Sequence, residues 1–378
     1  MIVTFITTVD HNIGDDFVRE GIKYLIRKVL SDKEIRFQNI HKHSPITARH
    51  SFEWFKNIKF SKFNFPSEKL DVLIPLSFSR DKILEADLVI QSGAPVYWCH
   101  KEFGSHCADN EWYDVLIRRR FSRNKNAKLL NIAAGSCQDF KSDGSEFYEC
   151  KKDIDYIKEF YSASSLTTVR DKLAYNILTS LGLNTELIPC PSIFAIDEYS
   201  LEPREKKYLI LNYMKIAGHY TFGKEIRTDK WLTELKTFYN YIKEKEEILF
   251  VCHNKREVTD AKKIDPDAKT FYSNNYLDYM KIYGNAKYGI VNRVHGAFLM
   301  ASYGAPSFIV GNDSRATMAN EIGLESMFIN DVNSEILINR YEKLKNLYED
   351  YISKFDNIKK KAYSDYYSIL SNTLNNKN

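Results

Sequence analysis

The stretch Tyr288-Gly289-Ile290-Val291-Asn292-Arg293-Val294-His295-Gly296-Ala297 decides how this chain is read. Tyr288 to Val291 is a short apolar run, the mark of a buried strand. A turn carrying Arg293 and His295 follows it. Gly296 then opens a helical run, Ala297-Phe298-Leu299-Met300-Ala301-Ser302-Tyr303, stopped by Gly304 and Pro306. A strand–turn–helix junction aims free backbone N–H groups and the positive end of a helix dipole at whatever lies above the sheet. A guanidinium and an imidazole added there make a site for an anion that also exchanges a proton. The plain alternative is an arginine capping a carbonyl and a histidine packed on the sheet. The two side chains together, next to a glycine, favour the site.

The same alternation repeats on both sides of this stretch. Ile2 to Val9 reads as a first strand, with the turn Asp10-His11-Asn12-Ile13-Gly14-Asp15 after it. Val18, Ile22, Leu25, Ile26 and Val29 then fall on one helical face. Asp87 to Gln91 is a strand running into Ser92-Gly93-Ala94-Pro95, and Leu129 to Ala134 is one running into Gly135-Ser136. Leu166 to Val169 ends in Arg170-Asp171, where Asp171 is a fitting N-cap for a helix from Lys172 to Leu181, closed by Gly182. Glu198 to Lys207 is polar, holds Pro203 and reads as a linker. Beyond it come a strand at Tyr208 to Tyr213, a helix at Lys230 to Lys243, and strands at Ile248 to Cys252, Tyr288 to Val291 and Ser307 to Val310. From Asn333 the chain is helical and charged, with residues 375–378 expected to fray. Strands alternating with helices imply parallel sheets. The expected fold is α/β, with two Rossmann-like domains, residues 1–197 and 208–332, facing a central cleft, and a helical segment at 333–378.

Composition narrows the class. The 378 residues are 44% hydrophobic and 28% charged, which excludes a disordered chain. A net charge of +4 gives no argument for nucleic acid. The six cysteines are scattered, so a reducing, cytoplasmic setting is the expectation. Cys99-His100 and His106-Cys107 invite a zinc reading, but adjacent ligands close a tetrahedron poorly, and no metal is expected. Met1 to Val9 lacks a basic start and reads as a strand rather than a signal peptide. No apolar run is long enough to span a membrane. The basic runs Arg118-Arg119-Arg120 and Lys359-Lys360-Lys361 read as solvated helix faces.

Asn12, Gly14, Asp15, Gly93, Gly135, Ser136, Arg170 and Gly296 thus stand at strand ends as candidate substrate-binding residues, with Arg293 and His295 beside them as candidate catalytic residues. Gly14 lets backbone approach a ligand and Asn12 can orient a hydroxyl, while Asp15 either caps its own helix or joins the site. The glycines do not form the dinucleotide fingerprint, and no phosphate loop or nucleophile elbow is present. The ordered set Asn12-Ile13-Gly14-Asp15, Gly93, Gly135, Val169-Arg170-Asp171 with Leu181-Gly182, and Arg293-Val294-His295-Gly296 with Gly304-Ala305-Pro306 resembles the polysaccharide pyruvyl transferase family. The likeness runs from the first strand to about residue 330.

The resemblance implies the two-domain architecture of B-type glycosyltransferases and transfer of a pyruvyl group from phosphoenolpyruvate to two hydroxyls of a sugar, giving a ketal. The acceptor would belong to a cell-surface polysaccharide or to a glycan precursor, lipid-linked or free. It implies that Arg293 and His295 hold the donor and that Arg170 is the arginine of the family's Arg-Asp motif. The sequence departs from the family at Pro189-Cys190-Pro191-Ser192, where a thiol replaces the usual carboxylate. Tyr97, Trp98, Trp112 and Tyr113 lie where one of them could stack on the sugar. The donor's phosphate and carboxylate suit arginine forks, and His295 suits proton transfer near neutrality. Two other readings fit the same layout: a B-type glycosyltransferase using a nucleotide sugar, and a carbohydrate-binding relative without catalysis.

Overall fold

The computed structural model describes residues 1–8, 12–41, 82–100, 105–107, 111–113 and 115–375. Val9, Asp10, His11 and residues 376–378 lie outside it, as do the side chains of His100, His106, Arg119 and Arg120.

The first sheet is built from Ile2–Thr7 (β1), Arg36–His41 (β2), Leu88–Ser92 (β3), Pro95–Tyr97 (β4), Lys128–Ser136 (β7), Leu166–Val169 (β8) and Glu186–Leu187 (β9). Cys99–His100 (β5) and Ser105–His106 (β6) form a small antiparallel pair beside it. The sheet order is β2-β1-β3-β7-β8-β9, every pairing parallel. β3 and β4 pair with successive stretches of β7. Between them Gly93, at φ +38°, kinks the chain, and its N–H reaches the Ile132 carbonyl at 2.8 Å. The second sheet holds Tyr208–Leu211 (β10), Glu247–Val251 (β11), Thr270–Phe271 (β12), Ala286–Val291 (β13), Ser307–Gly311 (β14) and Glu325–Phe328 (β15). Its order is β12-β11-β10-β13-β14-β15, again parallel throughout. Helices cover both faces, which is why these strands are nearly unbroken apolar runs. Leu88–Ser92 and Ser307–Gly311 are buried along their whole length.

Strand order reverses between β1 and β3 in one sheet and between β10 and β13 in the other. Crevices open at such points, outside the carboxyl ends of the strands. The two crevices face each other. The loop after β7 meets the turn after β14: Gln138 N–H donates to Ser314 Oγ and Ser314 N–H to the Gln138 carbonyl, both at 2.9 Å. Lys224 and Asp139 pair across the same flank at 2.7 Å.

Two helices close the chain, Ser334–Asn346 and Tyr348–Asn375. The second leaves the β10–β15 domain and returns to the first. It packs on the helix Ile13–Val29, Tyr366 Oη donates to the Pro189 carbonyl at 3.2 Å, and Lys128 Nζ donates to the Thr373 carbonyl at 2.6 Å. Lys359, Lys360 and Lys361 pair with Asp197, Asp356 and Asp365, and Arg118 pairs with Glu159.

Several boundaries shift by a residue or two from the sequence reading, and those of two helices bear on the site. The helix expected from Gly296 begins at Val294, so Arg293 is its N-cap residue and His295 lies in its first turn. Gly296 is inside the helix, where its missing side chain leaves room for Tyr283; a β-carbon there would stand 2.5 Å from the tyrosine oxygen. The first helix starts at Ile13 and its cap is Asn12, whose side chain accepts from Gly14 N–H at 3.1 Å. Asp15 therefore has no capping duty. It accepts a hydrogen bond from the Thr8 hydroxyl.

Candidate active site

A cleft of about 450 Å³ opens between the facing sheet ends. Asn12, Gly14, Asp15 and Arg170 line it from the first domain, and Arg293 and His295 from the second. Arg170 leaves the end of β8 and Asp171 starts the following helix, accepting from Ala174 N–H at 2.8 Å. That cap fixes the backbone from which Arg170 reaches over the sheet. Gly135 lies beneath it: a β-carbon there would sit 2.8 Å from Arg170 Nε. Arg170 Nη1 donates to the Gly93 carbonyl at 3.0 Å and lies 3.8 Å from Cys190 Sγ. Although Arg170 is only 2% exposed, no carboxylate pairs with it among the described residues, and its Nε finds no acceptor there. A buried cation in that condition is costly unless an anion completes it.

The same Nη1 donates across the cleft to His295 Nε2 at 3.2 Å. A guanidinium has no acceptor atom, so Nε2 is the acceptor and the ring is neutral. Burial, followed by the charges of Arg170 and Arg315, holds the His295 pKa well below its ordinary value. Gly14 makes room for the ring, because a β-carbon there would lie 2.5 Å from Nδ1. Gly14→Ala should therefore push the imidazole aside while leaving the helix sound. A displacement of that size costs roughly 10²-fold in rate. Assay and melting curve on the same preparation check it, with an unchanged rate counting against this placement.

Arg293 is held by Glu257, which pairs with its Nη2, and its Nη1 faces His219 Nε2 at 3.4 Å. Glu257 also accepts from His253 N–H at 2.8 Å, and His253 Nε2 lies 3.0 Å from Tyr283 Oη. Asn292 ties the junction down, accepting from Met214 N–H at 2.8 Å and donating to the Val310 carbonyl at 2.7 Å. A third arginine, Arg315, enters from the turn after β14. Asp313 holds it through Nε at 2.9 Å and Nη2 at 2.5 Å. Sequence reasoning missed Arg315, Asp313, His253 and His219. Their signal was available, since the first three follow strands β14 and β11, whose exits were left unread.

Other expected residues stand behind the cleft wall. Gly93 and Gly135 support Arg170. Ser136 serves Asp171, donating from N–H and Oγ at 2.8 Å each. Gly296 packs on Tyr283. Of the four aromatics, Tyr97 and Tyr113 are core, Tyr113 stacked on Phe160 at 4.6 Å, whereas Trp112 reaches the cleft. Among the described residues no group of three or more His, Cys, Asp or Glu could hold a metal, and no helix is long and apolar enough to cross a membrane.

Burial and the Arg293 charge also press His253 well below the usual histidine range. A histidine kept neutral by the fold costs stability once the unfolded chain can take up its proton. The ligand-free protein should hold its melting temperature above about pH 6.5 and lose it progressively below. A melting temperature constant from pH 7 to pH 5 would contradict the depressed imidazoles of His219, His253 and His295.

The fold resembles solved sugar-nucleotide epimerases. UDP-GlcNAc 2-epimerase from Neisseria meningitidis superposes with a TM-score of 0.53 at 12% identity, over 99% of this chain and 99% of that one. The Methanocaldococcus jannaschii UDP-GlcNAc 2-epimerase gives 0.50 at 13%, over 91% and 92%. At this identity the likeness speaks for the fold alone, two Rossmann-like domains in the B-type glycosyltransferase arrangement. A sequence search of curated proteins finds no match. The family model of polysaccharide pyruvyl transferases, by contrast, matches residues 12–314, a span that opens at Asn12, contains Arg170, Arg293 and His295, and ends at Ser314. The chain is therefore an enzyme of the polysaccharide pyruvyl transferase family.

Proposed function

We propose that the cleft binds phosphoenolpyruvate and transfers its pyruvyl skeleton to two hydroxyls of a glycan sugar, forming a ketal. The observation that carries this reading is Arg170, a buried guanidinium without a carboxylate partner among the described residues, bonded to a neutral histidine and facing two more arginines. Phosphate and carboxylate are the anions that arginine forks grip with two parallel hydrogen bonds. Arg170 comes from one domain and Arg293 and Arg315 from the other, so a donor held among them is held by both.

In this reading a proton passes from His295 to the methylene carbon of the donor, leaving the central carbon electrophilic. One acceptor hydroxyl adds there and the second closes the ring as the C–O bond to phosphate breaks. The two hydroxyl protons balance the account: one replaces the proton given to carbon and the other leaves with phosphate. The helix N-terminus at Val294 adds its dipole to the arginines as charge gathers on the departing phosphate. The acceptor would lie toward Asp15 and Trp112 on the first domain, free or lipid-linked.

The test is release of inorganic phosphate from phosphoenolpyruvate in the presence of a glycan panel, with mass spectrometry of the product. A matched gain of a pyruvyl ketal supports the reading. Thermal protection by nucleotide sugars and none by phosphoenolpyruvate would replace it with glycosyl transfer. Protection by glycans alone, with no turnover, would leave a binding protein.

A further inference from the structure

The arrangement of Arg170 and His295 makes a problem for the reaction just described. An acid must carry a proton where it meets its substrate, yet Nε2 is filled by the N–H of Arg170. Two N–H groups cannot share that position. Among the described residues, the groups facing the ring are Arg170 from the first domain and Arg293, Arg315 and His253 from the second, with Gly14 against its Nδ1 edge. Glu257 is engaged by Arg293, Asp313 by Arg315, and Asp15 accepts from Thr8. Among the described residues neither Glu257 nor Asp313 is bonded to the imidazole. The contact from Arg170 therefore holds His295 in its base form.

We propose that the donor charges its own acid: an anion bound among the three arginines draws Arg170 off His295 Nε2, and the imidazole takes one proton from solvent. The proposal rests on the donor reading above but concerns a separate event, the protonation that accompanies binding. Arg170 Nη1 gives its N–H to an uncharged nitrogen. A hydrogen bond to a charged acceptor is roughly twice as strong, so a phosphate oxygen wins that N–H. Nε2 is then a free lone pair beside a negative charge, the surroundings that favour imidazolium. The balance is one imidazole and one solvent proton giving one imidazolium, and no other bond changes. The acid would exist only while the cleft is occupied, so an empty enzyme carries no proton donor at this position.

The coupling is measurable without turnover. Phosphoenolpyruvate is titrated into the protein by calorimetry at about pH 7, in buffers of different ionisation enthalpy, and the slope counts protons exchanged. The same titration on His295→Gln removes the imidazole and keeps the ligand's own ionisation, since a phosphoryl group titrates near pH 6 in both. Wild type should take up close to one more proton per donor than the variant. Equal proton counts with both proteins binding would overturn the proposal while sparing the donor reading. Inorganic phosphate serves as the second probe. Proton uptake with phosphate, and no binding of phosphoenolpyruvate, would keep the coupling and sink the donor instead. If neither anion binds, both fall. Should the variant not fold, nitrogen resonances of histidine-labelled wild type give the answer directly: the ring must pass from neutral to imidazolium on saturation, and a ring that stays neutral refutes the idea.

Discussion

Replacing His295 with glutamine is expected to lower turnover by about 10²–10⁴ while the fold and donor affinity survive. The structure explains why the two effects separate. A glutamine oxygen can still accept the Arg170 N–H that now goes to Nε2, so the contact across the cleft is kept. Glutamine exchanges no proton near neutrality, so the chemical step loses its acid. Steady-state rates and a donor titration on one preparation decide the matter. A variant that melts earlier yet turns over normally when folded would return His295 to a packing role.

Arg170→Lys should be the most damaging change that keeps charge. Lysine offers a compact ammonium in place of a planar fork whose Nη1 alone meets both the Gly93 carbonyl and His295, and it lacks the further donors that could grip an anion. Each charge-assisted hydrogen bond lost costs about 1.5–3 kcal/mol, so donor affinity should fall roughly 10- to 150-fold per bond. Arg293 is better insured, since Glu257 can pair with either cation. Calorimetry with phosphoenolpyruvate tests the ranking. Wild-type affinity in Arg170→Lys would show that the buried guanidinium serves the fold and not the ligand.

Much of the architecture was legible because its rules are local. Buried parallel strands are short apolar runs, and the runs read at Ile2 to Val9 and Ser307 to Val310 fall on the strands Ile2–Thr7 and Ser307–Gly311. Arg170, Arg293 and His295 were also visible, each standing where a strand ends. What escaped has three causes. A glycine records that a side chain would not fit, without saying what occupies the space. At Gly14 the occupant is the His295 ring, at Gly135 the Arg170 guanidinium, at Gly296 the Tyr283 ring. The reading assigned all three to ligand. The second cause is range: His295 and Arg170 are 125 residues apart, and no periodicity reports that they touch. Arg315 was missed for a simpler reason, its strand having been read and its exit ignored. Cys190 gains a consequence from the geometry. Its thiol at 3.8 Å is the nearest thing to a counter-group that Arg170 has from this turn, and it carries no carboxylate charge.

The returning C-terminal helix has a bearing on how the protein is made. Phe194 and Tyr24 stack on each other, and the rings that cover them, Tyr363 and Tyr366, come from the final 28-residue helix. A ribosome delivers residues in order, and early domains start folding while later ones are still being added. The first domain is complete in sequence long before its last covering piece exists. Throughout the synthesis of the second domain this aromatic strip stands open to water and to neighbouring nascent chains. Holding chaperones would act in that interval, and a stop codon anywhere ahead of the last helix would release a chain whose seam can never be closed.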